Sequence, residues 1–175
     1  FQPGSLYLAQ TKDRSHQLQL QAAKAKLYRM NFSEITRSEA EELHPLVNFD
    51  GIRSIMWEPE GGNVDPAGVT AAYAAGARQN GAEIYRFTPV TGTEVQSDDS
   101  WVVRTSEGDI KTQWVVNAAG LWGREVARLA RLELPLQPTE HQYFITETIT
   151  QIDAMHRRLP SVADRDGEYY LRQEG

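Results

Sequence analysis

The sequence contains no cysteine. That excludes a disulfide framework, a thiolate metal site and a thiol nucleophile, and it fits a reducing compartment. No apolar run approaches the roughly 18–20 residues that a bilayer-spanning helix needs. Basic residues are in deficit, with 18 Lys and Arg against 24 Asp and Glu and a net charge of -6. Such a balance offers no basic patch and no counterion release, so neither nucleic acid nor an anionic membrane is an expected partner. No GxGxxG, no Walker sequence and no defensible order of Ser, His and Asp occurs. Internal repeats and low-complexity stretches are missing as well.

What remains is ordinary globular material: 175 residues, 40% hydrophobic and 24% charged. That length buries one core, or two small lobes of a larger domain. The chain opens on Phe1-Gln2-Pro3-Gly4 without an initiator Met, and it closes on Tyr169-Tyr170-Leu171-Arg172-Gln173-Glu174-Gly175, inside a strand pattern. A piece cut from a longer protein is the expectation.

Ser5–Ala9 alternates after a Pro-Gly turn and predicts a strand. A helix follows over Lys12–Met30, with Leu18, Ala22, Ala25 and Tyr28 on its inner face. Thr36-Arg37-Ser38-Glu39 is a capping box that opens a second helix, ending near Pro45. Gly51–Trp57 alternates as a strand. Asp65-Pro66 supplies an N-cap and a proline at the first helical position, for a helix running to Asn80-Gly81.

Ala82–Phe87 reads as the strand that completes an α/β unit with that helix. Three further runs, Thr93–Gln96, Trp101–Thr105 and Asp109–Ala118, are separated by short polar turns and predict an antiparallel meander. Trp114-Val115-Val116 in the last run is apolar enough for a buried sheet. A helix with Val126, Leu129 and Ala130 as its inner stripe comes next. Strands over His141–Glu147 and Glu168–Arg172 close the chain. The fold class is therefore α/β or α+β, with a mainly antiparallel sheet flanked by helices. Three segments are expected: 1–64 with two covering helices, 65–134 with the meander and the following helix, and 135–175 returning to the first sheet.

Few residues invite chemistry. Val115-Val116-Asn117-Ala118-Ala119-Gly120-Leu121-Trp122 carries a strand into small residues and a helix start. Small side chains let a flat or anionic ligand meet the backbone; the same residues also suit a tight turn made for packing alone. His141, beginning a strand, suits a base, a substrate-orienting group or a structural hydrogen bonder. Tyr169 and Tyr170 alternate faces, so only one can enter a given cavity. His16, His44 and His156 sit in polar contexts expected to be exposed, at spacings that match no metal motif. Glu39–Glu42 reads as a solvated helix face, and Arg157-Arg158 as a surface loop.

Several motifs taken in order carry a resemblance. They are Phe1-Gln2-Pro3-Gly4-Ser5-Leu6, Gly62-Asn63-Val64-Asp65-Pro66, Ala75-Gly76-Ala77-Arg78, Asn117-Ala118-Ala119-Gly120-Leu121-Trp122, His141-Gln142-Tyr143 and Tyr169-Tyr170-Leu171-Arg172-Gln173-Glu174. Together they resemble the dimethylglycine and sarcosine dehydrogenase branch of the D-amino-acid-oxidase-like FAD-dependent oxidoreductases, across essentially the whole chain.

The resemblance implies an FAD lobe interwoven with a substrate lobe, and oxidative demethylation of a methylated glycine by hydride transfer from the N-methyl carbon to the flavin. It implies that Val90 meets the adenosine end of FAD, that Ala118, Ala119 and Gly120 lie against the cofactor, and that Trp122 contacts it alongside. It further implies that His141 and Tyr170 are the active-site histidine and tyrosine, Tyr170 being chosen because it precedes the Leu-Arg pair. Partners implied are a small methylated amine, with an electron-transfer flavoprotein or oxygen as acceptor. The compartment implied is the cytoplasm in bacteria or the mitochondrial matrix in animals.

The family's N-terminal dinucleotide-binding βαβ unit with GxGxxG is absent. So are its covalent flavin histidine and its glycine-rich closing segment. The chain by itself is therefore expected to hold FAD poorly and to be inactive. Two other readings stay open: an amine oxidase of the glycine or D-amino-acid type, and a non-catalytic truncated binding module.

Overall fold

The alternating residues of Ser5–Ala9 form β1, the middle of a five-stranded sheet. The computed structural model describes residues 1–174. Around β1 lie β2 (Ser33–Ile35), β3 (Ser54–Glu58), β7 (Ser161–Asp164) and β8 (Tyr169–Leu171), in the order β2-β3-β1-β7-β8. Every neighbouring pair is antiparallel except β1 with β7, which run parallel with Tyr7 opposite Ala163.

The period of two in β1 distributes its side chains to two cores. Leu6 and Leu8 join Ile55, Val162, Ala40 and Phe49 on one face. On the other, Ala9 and Met56 pack with Leu18, flanked by Tyr7 and Phe32. Helix α1 (Lys12–Leu27) covers the second face, and α2 (Arg37–Leu43) covers the first.

The capping box forms as expected. Thr36 Oγ1 accepts from the Glu39 amide at 3.3 Å, and Glu39 Oε2 accepts from the Thr36 amide at 2.7 Å. The far end of α2 is closed by a residue more than a hundred positions away. Arg157 donates to the carbonyls of Glu42 at 2.7 Å and Leu43 at 2.9 Å, satisfying groups that a helix end leaves bare.

Residues 1–70 and the segment from Phe144 onward make up this unit; Ala71–Tyr143 make a second. Helix α3 (Pro66–Gln79) starts with Asp65 Oδ1 and Oδ2 accepting from Ala67 at 3.1 Å and Gly68 at 2.9 Å. In the second unit β4 (Val90–Val95), β5 (Trp101–Thr105) and β6 (Gly108–Thr112) form the meander in the order β4-β5-β6. A 3-10 turn at Gly120–Trp122 leads into α4 (Gly123–Leu129). The short helix α5 (Thr150–Asp153) belongs to the first unit. The fold is thus mixed α/β, with helices flanking one mixed sheet and a separate antiparallel meander.

Several expectations fail for identifiable reasons. Ala82–Phe87 is not a strand: no described strand runs beside it, and Phe87 takes φ 57°, which strand geometry forbids. The third meander strand stops at Thr112, whose hydroxyl donates to the Trp114 carbonyl at 3.1 Å and turns the chain out of the ladder. Trp114 and Val116 are consequently 84% and 85% exposed instead of buried. His141–Glu147 likewise forms no strand of either sheet among the described residues. An extended segment becomes a strand only when a neighbour takes its backbone groups.

Helix α1 ends at Leu27, leaving Tyr28 exposed at its C-cap. In α4 the buried residues are Gly123 and Ala127, while Val126, Leu129 and the C-cap Ala130 are half-buried. His44 is buried, not exposed.

Candidate functional site

The turn after residue 116 is held by one side chain. Asn117 Nδ2 donates to the Gly123 carbonyl at 2.7 Å, and its Oδ1 accepts from the Ala119 amide at 3.2 Å. These two bonds clamp Ala118-Ala119-Gly120 between the exposed stretch 114–116 and the start of α4. Gly120 takes φ 55°, a left-handed conformation that costs glycine little. A Cβ built there meets nothing within 4 Å, so the backbone faces open space. Ala118 and Gly120 are exposed, Ala119 is half-buried, and Leu121 and Trp122 leave apolar surface beside them. Helix α4 packs against β4, whose first residue is Val90. Four of the five cofactor candidates therefore share one turn, and the fifth begins the strand against which the next helix packs.

His141 belongs to the same unit as that turn, on an exposed segment that is not a strand. Tyr170 belongs to the other unit, on β8. The register places Tyr7, Ala163 and Tyr170 in one row, on one face of the sheet. Tyr7 and Ala163 line a cleft of about 460 Å³ with Arg14, Gln17, Gln21 and Arg165. Tyr7 donates to Glu58 Oε2 at 2.9 Å; burial first, and then that carboxylate, push its phenol pKa up. Tyr169, on the opposite face, stands opposite Asp164, and burial foremost, then that carboxylate, raises its pKa too.

Two residues that motif reading did not single out prove central. Asn117 stood inside a quoted motif, but its clamp depends on a carbonyl six positions on. Asp164, fully buried, is the hub of the turn leading to β8. Its signal was the run Asp164-Arg165-Asp166-Gly167, a turn composition just ahead of the two tyrosines. Among the described residues no group of three or more His, Asp or Glu is placed to hold a metal ion.

Whether these residues suit a flavin can be tested against their chemistry. A flat, largely apolar ring system needs apolar surface and a backbone free of side chains, and the turn with Leu121, Trp122, Trp114 and Val116 offers both. A pyrophosphate needs a glycine-rich strand-to-helix turn, which the sequence lacks. The fit is to the flat part of such a molecule.

Comparison with known proteins bears on the family to which the chain belongs. The profile of a family described as FAD dependent oxidoreductase (DAO) matches residues 1–175. Human mitochondrial dimethylglycine dehydrogenase is 39% identical over 173 residues, covering 99% of this chain and 20% of that protein. Human mitochondrial sarcosine dehydrogenase is 35% identical over 179 residues, covering 99% of this chain and 19% of that protein. Among solved structures, L-proline dehydrogenase from P. horikoshii superposes with a TM-score of 0.76 at 24% identity, covering 99% of this chain and 46% of that one. The chain spans about a fifth of the length of the curated relatives it matches.

Proposed function

The chain belongs to the FAD dependent oxidoreductase (DAO) family, and from that premise we propose that it forms part of an enzyme that oxidatively demethylates dimethylglycine or sarcosine. The observation that carries this reading is the 39% identity to a dimethylglycine dehydrogenase along nearly the whole chain. FAD, when bound, supplies the acceptor for the hydride that leaves the N-methyl carbon.

The chain's own residues divide the remaining work. Val90, Ala118, Ala119, Gly120 and Trp122 hold the cofactor's flat surfaces, with Asn117 keeping the turn open. Tyr170 in the first unit and His141 in the second are each suited to hold an amine or a carboxylate of the substrate. A phenol and an imidazole suit this task because each combines a hydrogen-bonding atom with a ring that excludes water. The cleft beside Tyr7 and Ala163, with Arg14 and Arg165 in its wall, supports a small carboxylate as the ligand of this face. No described helix is long and apolar enough to cross a membrane.

The test is a substrate screen on the full-length, FAD-loaded protein. Turnover of dimethylglycine or sarcosine with release of formaldehyde is the expected result. Turnover of D-alanine or glycine with neither methylated amine accepted would reverse the assignment.

A further inference from the structure

The turn between β7 and β8 is built around one carboxylate. Asp164 is 0% exposed, and a carboxylate so buried persists only when its lone pairs are taken. Its Oδ1 accepts from the amides of Asp166 at 3.0 Å and Gly167 at 2.9 Å. Its Oδ2 accepts from Gln10 Nε2 at 2.6 Å. The Tyr169 side chain faces the same carboxylate from the directly opposite position of the β7–β8 register. The groups around Asp164 thus come from the β1–α1 junction, from the turn itself and from β8.

Gly167 makes the last of these contacts possible. A Cβ on it would stand 2.8 Å from Tyr169 Cε1 and 3.0 Å from Asp164 Oδ2. Asp166 ties the same turn to the start of α1, accepting from the amides of Gln10 at 2.9 Å and Thr11 at 3.0 Å. Strand β8 needs such anchoring, being three residues long at the sheet's edge and, among the described residues, paired only with β7. Tyr169 and Tyr170 leave opposite faces, so a Tyr169 side chain held against Asp164 and Gly167 fixes the pitch of β8 and the direction in which Tyr170 departs.

We propose that Asp164 is a positioning residue: acting through Tyr169, it sets the placement of Tyr170 against the substrate. The proposal rests on the reading of Tyr170 as an active-site residue.

The experiment is a set of double-mutant cycles on the full-length, FAD-loaded protein, read as kcat/KM for dimethylglycine. Tyr169→Phe deletes one hydroxyl and is expected to lower kcat/KM about 3- to 10-fold, and Asp164→Asn about tenfold or more. In a Tyr170→Phe background both effects should vanish, because the residue they act through is gone. A merely structural role would instead lower kcat/KM by the same factor in either background, and that outcome overturns the proposal. So does an unchanged kcat/KM for Tyr169→Phe when Tyr170→Phe is impaired. Should Asp164→Asn not fold, the Tyr169→Phe cycle decides alone. If Tyr170→Phe itself leaves kcat/KM unchanged, the assignment of Tyr170 to the site falls, and this proposal with it.

Discussion

His44 shows how much one buried atom can matter. It caps the end of α2, its amide donating to the Ala40 carbonyl at 2.8 Å, and its Nδ1 is buried with no hydrogen-bond partner among the described residues. Burial above all, and then the nearby Arg157 cation, hold its pKa below the ordinary 6.5. The unfolded chain therefore takes up a proton that the folded chain refuses. His44's contribution to stability is full above about pH 6.5 and is lost as the pH falls from there toward the depressed folded value. Urea midpoints at about pH 7.5 and about pH 5.5 should differ more in the native protein than in His44→Gln. Equal drops in the two proteins would remove the argument.

At the scale of elements, α2 is the clearest case of local instruction. Thr36→Ala removes the N-terminal cap and should cost about 1 kcal/mol in urea unfolding, whereas Thr36→Ser should restore most of it. No change in Thr36→Ala would mean that packing of Ala40 and Leu43 alone maintains the helix. The capping box was legible because donor and acceptor lie three residues apart. The same holds for Asp65 at α3 and for the hairpin turns of the meander. Strands β2 and β7 were not legible. At three and four residues they are too short to show a period, and β7 exists because β1 accepts it from across the chain. The strand expected at 141–147 had the opposite problem, an alternating pattern that joins neither sheet among the described residues. Of the candidate site, the small-residue turn could be read directly, since glycine and alanine advertise exposed backbone. The Asp164 hub could be read only in part, because beside the local amides of Asp166 and Gly167 it takes a donor from Gln10, 154 positions away.

For the whole molecule, the second unit carries several of its largest apolar side chains on the outside. Phe87, Trp114, Val116 and Tyr143 are each more than three-quarters exposed. Surface of this kind suits a protein whose core is completed by further polypeptide. The isolated chain mixed with excess FAD and desalted should therefore be colourless, and visible absorption is the check. Flavin bands retained at near-stoichiometric occupancy would show that the cofactor needs no pyrophosphate turn here. The parallel pairing of β1 with β7 bears on a different matter, the time course of synthesis. Ser5 hydrogen-bonds to Ser161, 156 positions later. At translation rates of about 5–20 residues per second, β1 waits roughly 8–30 s for that neighbour. Through that interval the nascent chain holds an open edge strand beside the ribosome, where a chaperone has reason to bind it.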